Sequence, residues 1–322
     1  MGVNLKDIVP HRELDFSELK GKVIAVDALN TLYQFLASIR QPDGTPLMDK
    51  NGNVTSHLSG LVYRTSNLMK LGIKPVYVFD GKPPEQKFQE LRRRSDIKKE
   101  AHEEWARAKE EGRLGDAMKY AKRTSRMTPE MIESSKKLLG YLGIPCIEAP
   151  SEGEAQCALL CHRGDAWAVG SQDYDALLFG APRLVKGLTM SGKIELQLIE
   201  LEEVLKQLCV TREQLIDIAI LVGTDFDEGV KGIGPKKALK AVQENKLNEL
   251  EINFDMDEIR NIFLKHPVKE DYTIDWGKTN EEGLIQLLCK EHDFSEERVK
   301  RAANEIEEAR RQMTQQTISK WF

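Results

Sequence analysis

The run Lys22–Asp27, KVIAVD, decides the fold because it is a short apolar strand sequence that ends in an acid. The same pattern returns at Lys74–Asp80, KPVYVFD, with helix-forming sequence between the two runs. Apolar strands that alternate with helices predict a mainly parallel sheet covered on both faces. Side chains just beyond the carboxyl ends of such strands meet at one edge of the sheet. We therefore expect Asp27 and Asp80 to converge there.

Five more acids stand at the ends of later strand-like or helix-like segments: Glu152, Glu154, Asp173, Asp175 and Asp225. A buried carboxylate without a partner is costly, so a cluster of carboxylates implies bound cations. Mg²⁺ and Mn²⁺ prefer oxygen ligands of this kind. Two such ions about 4 Å apart can clamp the attacking and leaving oxygens of a phosphodiester. The seven acids together predict a two-metal hydrolytic site.

The later acidic pairs also have simpler interpretations. Ser151 and Glu154 have the spacing of a capping box, and either Glu152 or Glu154 suits the positive end of a helix. The pair Asp173-x-Asp175 is also typical of a turn. It resembles the Asp-x-Asp of aspartyl-phosphate phosphatases as well, although those enzymes place the pair on their first strand. The joint pattern of all seven acids favours the metal site.

Cations are also expected near this site, since seven carboxylates exceed the charge of two divalent ions and would repel phosphate. Lys87 and Arg94, seven residues apart on the helix expected after Asp80, share one helical face and can supply that charge. They belong to the stretch 82–126, which carries a net charge of about +5 although the whole chain carries −5. A solvated helix surface explains this excess as well as a phosphate-backbone partner does.

The chain changes character between Gly81 and Met127, where long, charged, helix-forming sequence has few apolar positions. We expect this segment to project as an arch or lid. The alternating pattern resumes at Pro129, and helices joined by short turns are expected after Leu201. The remaining strands are expected at Pro145–Ile147, Ala166–Val169, Arg183–Lys186 and Lys193–Leu198.

A glycine–lysine motif, GVKGIGPKKALKAV, occupies Gly229–Val242. Pro235 begins a helix there after Gly232 and Gly234, which leaves free backbone amides at a positive helix end. A simple tight turn is the alternative interpretation. Flanking lysines favour a helix–turn–helix element that holds DNA phosphates without reading bases; they are Lys236, Lys237 and Lys240.

The last residues, QQTISKWF, form a polar, helix-like tail that ends in two aromatic side chains. Folding back onto the body of the protein is one interpretation of these aromatics. Their spacing is typical of a short helical turn inserted into a groove of a partner protein. The side chains that would enter the groove are Gln315, Ile318, Trp321 and Phe322.

Composition is typical of a globular protein, with 322 residues, 40% hydrophobic and 31% charged. The longest apolar runs fall far short of the roughly 18 residues that a membrane span needs. The start of the chain has no secretory apolar region, so the cytosol is expected. The five cysteines are scattered and are expected to be reduced thiols.

With these residues in hand, the chain resembles the XPG-type 5′ nuclease family of flap endonucleases over its whole length. The motifs that carry the resemblance are IAVDALNTLYQF, YVFDGKPPEQK, APSEGEAQCA, VGSQDYDALLFGA, LVGTDF and VKGIGPKKA. Membership implies a PIN-like α/β fold, a mainly parallel twisted sheet flanked by helices. The implied divisions are a nuclease core at 1–270, its arch at 82–128, its helix–turn–helix at 211–250, C-terminal helices at 271–311 and a clamp-binding tail at 312–322.

The resemblance also implies roles for matching residues. The seven acids become ligands of two Mg²⁺ ions, for which Mn²⁺ can substitute, and a K⁺ ion is implied at the helix–turn–helix. Lys87 and Arg94 match arch cations that meet the scissile phosphate. Tyr33 matches an aromatic on which a base stacks, and Gly2 matches an N-terminus near the active site. The tail matches a motif that binds the sliding clamp (PCNA).

The expected activity is a monomeric, structure-specific 5′ flap endonuclease with 5′ exonuclease activity on branched DNA. Okazaki-fragment maturation and base-excision repair are the implied processes. The chain lacks the basic tail of eukaryotic members, which favours an archaeal cytoplasmic enzyme. The alternatives are a non-catalytic clamp adaptor, a nuclease of the family that prefers another junction, and a PIN-type ribonuclease.

Overall fold

The computed structural model describes residues 2–84, 87–121, 124–189 and 195–318. The strands found there form one seven-stranded sheet in the order β1-β7-β6-β5-β2-β3-β4. Strands β6, β5, β2, β3 and β4 run parallel, whereas β7 is antiparallel to β1 and β6. The prediction of a mainly parallel sheet is therefore confirmed. The strands are β1 (Arg12–Leu14), β2 (Val23–Asp27), β3 (Lys74–Phe79), β4 (Cys146–Glu148), β5 (Ala168–Gly170), β6 (Arg183–Lys186) and β7 (Leu196–Glu200).

Helices cover both faces of the sheet and extend beyond it. A π-helical turn at Ile285–Glu291 follows the short helix α12. None of the helices in the described ranges has both the length and the apolar character needed to cross a membrane. The helices are α1 (Ala28–Ser38), α2 (Ser56–Lys70), α3 (Lys87–Glu110), α4 (Leu114–Ala121), α5 (Pro129–Tyr141), α6 (Gly153–His162), α7 (Asp175–Leu178), α8 (Leu201–Leu208), α9 (Arg212–Val222), α10 (Pro235–Gln243), α11 (Met256–Leu264), α12 (Glu281–Leu284) and α13 (Glu296–Ile318).

Two hydrophobic cores lie on opposite faces of the sheet. Ala25 and Val78 point into the core that contains residues of α6, α9 and α11. Val26 and Phe79 point into the other core, with residues of α1, α2, α5 and α13. Because successive strand residues face opposite sides, a strand buried on both faces must be apolar throughout. This explains why β2 and β3 are continuous apolar runs rather than alternating ones.

Helices α3 and α4 pack on each other, and none of their described residues belongs to either core. The outer part of α3 contacts a loop that follows α1. Lys109 Nζ lies 2.8 Å from Asp43 Oδ2, and Trp105 Nε1 donates to the Asp43 carbonyl oxygen at 3.3 Å. The described residues at 87–121 are therefore mainly helical, and polar contacts join α3 to the loop after α1.

Some strand boundaries differ from the predicted ones. Strand β4 ends at Glu148 and β5 ends at Gly170, each one residue later than predicted. The strand predicted at Lys193–Leu198 is β7, which is observed from Leu196; residues 190–194 lie outside the described part of the chain. Strand β1 was not predicted at all, since three residues carry no readable periodicity.

The prediction that only short turns join the helices after Leu201 is wrong. Residues 265–280, which we call the strap, contain neither helix nor strand. The strap is held instead by hydrogen bonds to α6 and β3. Lys269 N–H donates to Gln156 Oε1 at 2.7 Å and the Gln156 amide returns a bond to the Lys269 carbonyl, while Trp276 Nε1 donates to the Pro75 carbonyl at 3.2 Å. Long-range side-chain bonds of this kind leave no local pattern in the sequence.

The strap crosses the chain at Gly143, just after α5. Gly143 has φ +67°, and a Cβ at this position would overlap the Gly277 carbonyl oxygen of the strap. Both the backbone conformation and the close approach therefore require glycine.

Gly143→Ala should lower the free energy of unfolding by about 2–4 kcal/mol, because it adds backbone strain and forces the strap away. Gly140→Ala is the matched control, since Gly140 lies within α5 and its Cβ would have no neighbour within 4 Å. It should raise stability by about 0.5–1 kcal/mol. Chemical unfolding followed by circular dichroism measures both, and equal effects of the two substitutions would contradict the close crossing.

Candidate active site

The carboxyl ends of β2, β3 and β5 open onto one edge of the sheet, where the predicted acids collect. Asp27 ends β2 and lies opposite Val78 of β3, so Asp80 follows two residues beyond that pair. Glu152 is the N-cap of α6, and Asp175 begins α7. We call this group the acid edge; its members are Asp27, Asp80, Glu152, Glu154, Asp173, Asp175 and Asp225.

Two polar side chains that were not predicted hold part of the acid edge in place. Asn30 donates its backbone N–H to Asp27 Oδ1 at 3.0 Å and its side-chain amide to Asp173 Oδ2 at 2.8 Å. Ser171 Oγ lies 3.4 Å from Asp27 Oδ2 and 3.2 Å from Glu154 Oε1. Asp27 thus acts as the N-cap of α1 while remaining part of the cluster. Neither Asn30 nor Ser171 carries a sequence signal that marks this role, because Asn and Ser are common at helix starts and in turns.

The capping-box interpretation of Ser151 and Glu154 is wrong. The N-cap of α6 is Glu152, and its side chain makes no capping bond. The backbone N–H of Gly153 donates instead to Asp80 Oδ1 at 2.9 Å. The start of α6 therefore stabilises a carboxylate from a neighbouring strand, in keeping with the positive end of a helix.

Burial and mutual repulsion make the acid edge unfavourable for charge. Burial, followed by the neighbouring Asp80, raises the pKa of Asp27 to about 8. Burial, followed by Asp225, raises the pKa of Asp175 to about 7, and burial with Glu152 raises that of Asp80 to about 6. The pKa of Glu154 is also raised well above its ordinary value, chiefly by burial. Positive charge is needed before these groups can all be ionised at neutral pH.

Lys87, the first residue of α3, supplies one such charge. Its Nζ lies 2.6 Å from Glu152 Oε2 and 3.6 Å from Asp225 Oδ2. Burial opposes the charge of Lys87, but Glu152, Asp80 and Asp225 outweigh it and raise the pKa of the ammonium group. The other predicted arch cation, Arg94, lies in α3, and its side chain is outside the described residues.

The acid edge fits hard divalent cations by its donor atoms and its charge. Every predicted ligand offers carboxylate oxygen, the donor that Mg²⁺ and Mn²⁺ prefer. Within the described ranges, no group of three or more His, Cys, Asp or Glu side chains is already arranged to hold a metal ion. The ammonium group of Lys87, rather than a metal ion, lies among three of the acids: Glu152, Asp80 and Asp225. The chemistry therefore suits divalent ions, with some rearrangement around Lys87.

The N-terminal segment lies against the acid edge. Val3 N–H donates to Asp175 Oδ1 at 2.8 Å. A Cβ at Gly2 would overlap the Asp175 carboxylate, so only glycine allows this approach. Tyr33 lies on α1 one turn beyond Asn30 and is 37% exposed. Gly2 thus lies beside Asp175, and Tyr33 lies one helical turn from Asn30.

The glycine–lysine motif forms the connection from α9 to α10 and the start of α10. Gly234 is the N-cap and Pro235 the first residue of α10, so no side chain caps this helix end. No described atom lies within 4 Å of a Cβ placed at Gly232 or Gly234. Lys237 Nζ donates to the Gly232 carbonyl at 3.1 Å, and Lys236 is exposed. The motif presents an open, positive helix end to the solvent.

The predicted tail residues fall at the limit of the described chain. Gln315 and Ile318 belong to α13, but their side chains are not described. Trp321 and Phe322 lie outside the described residues. Their predicted binding to a partner stays a prediction.

Comparisons with known proteins agree on one family. The XPG N-terminal domain matches residues 1–101, and the XPG I-region matches residues 143–225. Flap endonuclease 1 of Pyrococcus furiosus is 52% identical over 338 aligned residues, covering 100% of this chain and 99% of the relative.

Two solved structures extend the likeness to three dimensions. Flap endonuclease-1 from Methanococcus jannaschii superposes with a TM-score of 0.80 at 43% identity, covering 96% of this chain and 98% of its own. The catalytic core of Rad2 in complex with DNA substrate gives a TM-score of 0.71 at 25% identity, with 92% and 96% covered. Because the likeness in sequence and in fold spans nearly the whole chain, the protein belongs to the flap endonuclease 1 family of XPG-type nucleases.

Proposed function

We propose that this protein is a structure-specific 5′ flap endonuclease that hydrolyses DNA phosphodiesters where a flap meets duplex DNA. A 5′ exonuclease activity at the same site, and roles in Okazaki-fragment maturation and base-excision repair, belong to the same proposal. The observation that carries it is the acid edge, where buried carboxylates with raised pKa values collect near the ammonium group of Lys87. Such a concentration of like charge stores an unfavourable interaction that a cation-dependent phosphate chemistry would relieve.

The seven carboxylates of the acid edge would hold two Mg²⁺ ions, with Mn²⁺ as a substitute. When bound, such ions supply Lewis-acid activation of water and of the phosphate oxygens. Asn30, Ser171 and the Gly153 amide hold four of the carboxylates in place, and the groups around Lys87 would rearrange to admit the ions.

Lys87 has a separate role in this proposal. Its ammonium group lies at the acid edge and stays protonated at neutral pH, so it can stabilise negative charge that develops on the scissile phosphate. To do so it must exchange Glu152 or Asp225 for a phosphate oxygen. Arg94, two turns further along α3, would act beside it. Because Lys87 is the first residue of α3, the position of this helix would determine whether the ammonium group reaches the scissile phosphate.

Substrate binding would use the surfaces on either side of the acid edge. Tyr33 offers an exposed ring on which an unpaired base can stack, and Gly2 places the N-terminal segment directly against Asp175. Unpairing costs least at the disrupted end of a duplex, which would favour flap junctions over continuous DNA.

The α9–α10 connection would hold the duplex by its backbone. Free amides at the start of α10 and the ammonium groups of Lys236 and Lys237 suit phosphate oxygens, with Gly232 and Gly234 allowing close approach. Backbone carbonyls of the same connection would hold the K⁺ ion that the resemblance implies. Contacts of this kind carry no base specificity, as a nuclease that reads DNA shape requires.

The C-terminal tail would bind the sliding clamp (PCNA) through Gln315, Ile318, Trp321 and Phe322. Support comes from the spacing of these residues and from α13, which carries a helix as far as Ile318. We further infer a cytoplasmic monomer of archaeal origin; the origin is supported by the archaeal relatives at about half identity.

A labelled double-flap DNA, compared with the matching single strand, tests the proposal directly. The wild type should make one Mg²⁺-dependent cut at the base of the flap, with none in EDTA. Asp175→Asn should cut at roughly 10²–10³-fold lower rate, since it removes one ligand charge but keeps an acceptor for Val3. Its affinity for the flap, measured by fluorescence anisotropy, should be unchanged.

Asp165→Asn is the matched control, because Asp165 bonds the Tyr272 hydroxyl away from the acid edge. It should cut at the wild-type rate. Binding without any cut by the wild type would favour the clamp adaptor, and a cut confined to another branched DNA would favour a different junction preference. Asp175→Asn activity above a few per cent would remove Asp175 from the ligand set.

Stability of the metal-free protein should rise as pH falls from 8 to 6.5. The pKa values of Asp27 and Asp175 are raised to about 8 and 7 from an ordinary 3.8, so the folded chain binds protons that the unfolded chain releases. Stability is then lost as pH rises through this range, by up to about 1.4 kcal/mol per pH unit for each group while it is still protonated in the folded chain, mainly below pH 7 for Asp175 and below pH 8 for Asp27. The window lies above the range in which buried His57, with its pKa lowered to about 4, would oppose the trend.

Chemical unfolding at each pH, in EDTA and again in Mg²⁺, measures this dependence. Mg²⁺ should flatten it, because bound cations keep the carboxylates ionised. A flat profile in EDTA, or the same slope with Mg²⁺, would contradict the electrostatic account of the acid edge.

Deleting Trp321 and Phe322 should abolish stimulation of flap cleavage by the sliding clamp. Unaided cleavage should stay unchanged, since no described residue of the acid edge belongs to the tail. Gln316→Ala, within the tail but outside the predicted spacing, serves as the control. If the deletion lowers unaided cleavage as much as stimulated cleavage, the tail is structural rather than a clamp ligand.

A further inference from the structure

Lys186, a residue that the sequence did not single out, ends β6 at the same side of the sheet as the acid edge. Strand β6 runs parallel to β5 with Val185 opposite Gly170, the last residue of β5. Lys186 is therefore level with the segment that leads into Asp173. The side chain is half-buried.

The ammonium group of Lys186 packs on an aromatic ring rather than on a carboxylate. Its Nζ lies 3.5 Å from the centre of the Tyr174 ring, and Tyr174 separates Asp173 from Asp175 in the chain. No carboxylate of the described residues forms an ion pair with Lys186. Burial lowers the pKa of Lys186 to about 8, Asp173 and Glu154 act in the opposite direction from a distance, and Lys6 adds to the lowering.

Lys186 differs in this from Lys87, which has two carboxylates within ion-pairing distance. It also differs from the strand lysine Lys74, which lies over the Trp276 ring at 5.8 Å but begins β3, at the opposite edge of the sheet. A half-buried ammonium without an ion-pair partner is unfavourable unless an anion joins it. At the acid edge of a nuclease that anion is a phosphate group.

We propose that Lys186 is a substrate-binding residue whose ammonium group donates to a non-bridging oxygen of a phosphodiester next to the one that is cut. It would act at the Asp173 end of the acid edge, whereas Lys87 lies at the Glu152–Asp225 end. The Tyr174 ring holds the ammonium by a cation–π contact without neutralising it. This inference rests on the proposed nuclease function and adds a further cation, in addition to Lys87 and Arg94, to the same site.

The experiment measures single-turnover cleavage of a double-flap DNA by the full chain. Lys186→Met should slow cleavage by about 10- to 100-fold, the effect of one lost charge-assisted hydrogen bond, and Lys186→Arg should restore most of the rate. Lys74→Met, the matched loss of a lysine over an aromatic ring, should cleave like the wild type. Thermal unfolding of each variant shows whether the fold is retained.

Neutral methylphosphonate linkages, placed one at a time around the cut, provide a second measurement that does not need a variant to fold. In the wild type, one linkage should slow cleavage by a factor close to that of Lys186→Met. In Lys186→Met, the same linkage should cause no further loss. A role limited to holding the Asp173–Asp175 segment would instead give independent, multiplying effects at every linkage.

Two outcomes would overturn the proposal for Lys186 alone: an unchanged rate for Lys186→Met, or multiplying effects at all linkages, in each case with a wild type that cuts flaps normally. A wild type that binds but cuts no flap would overturn the nuclease function itself, and the assignment of Lys186 with it. The wild-type reaction thus separates the two failures.

Discussion

Repulsion among buried carboxylates at one edge of the sheet is the constraint on which the rest of this structure depends. Water would normally screen such charges, but Asp27 and Asp175 are each less than a tenth exposed. Asp27 ends β2, which is buried on both faces, and Asp175 begins α7, whose residues are all buried, so the two carboxylates cannot move apart to relieve the repulsion. The remaining ways to stabilise the edge are protons, helix-end amides and cations. Lys87, the Gly153 amide and the raised pKa values are three local solutions to one electrostatic problem.

The parts of the fold that follow from local pattern were predictable from the sequence. The apolar runs of β2 and β3 indicated parallel strands buried on both faces, and the structure places them side by side. Strand β1 and the strap were not predictable. Three residues are too few to show a period, and β1 is a strand only because it pairs with β7. The strap takes its bonds from Gln156 and the Pro75 carbonyl, partners that no local rule identifies.

The candidate site shows the same division. Acids at strand ends could be picked out because a charge after an apolar run is conspicuous. Asn30 and Ser171 are common residues in turns and helix starts, so nothing in their spacing marks them as supports for Asp27. Lys186 was not predicted because a lysine at a strand end is usually solvated. Only the position of β6 beside β5 brings it close to the acids. Helix α6 begins one residue later than the capping-box interpretation requires. No capping box forms, and the Gly153 amide donates to Asp80.

The bond from the Val3 amide to Asp175 joins residues 172 positions apart. A ribosome adds about 5–20 residues per second, so the N-terminal segment waits roughly 10–35 s for its partner to emerge. During that interval the bond to Asp175 cannot form, so the acid edge is incomplete in the growing chain. The close approach at Gly2 therefore also sets an order of events: the N-terminal segment cannot take its place at the acid edge until the chain has been made as far as Asp175.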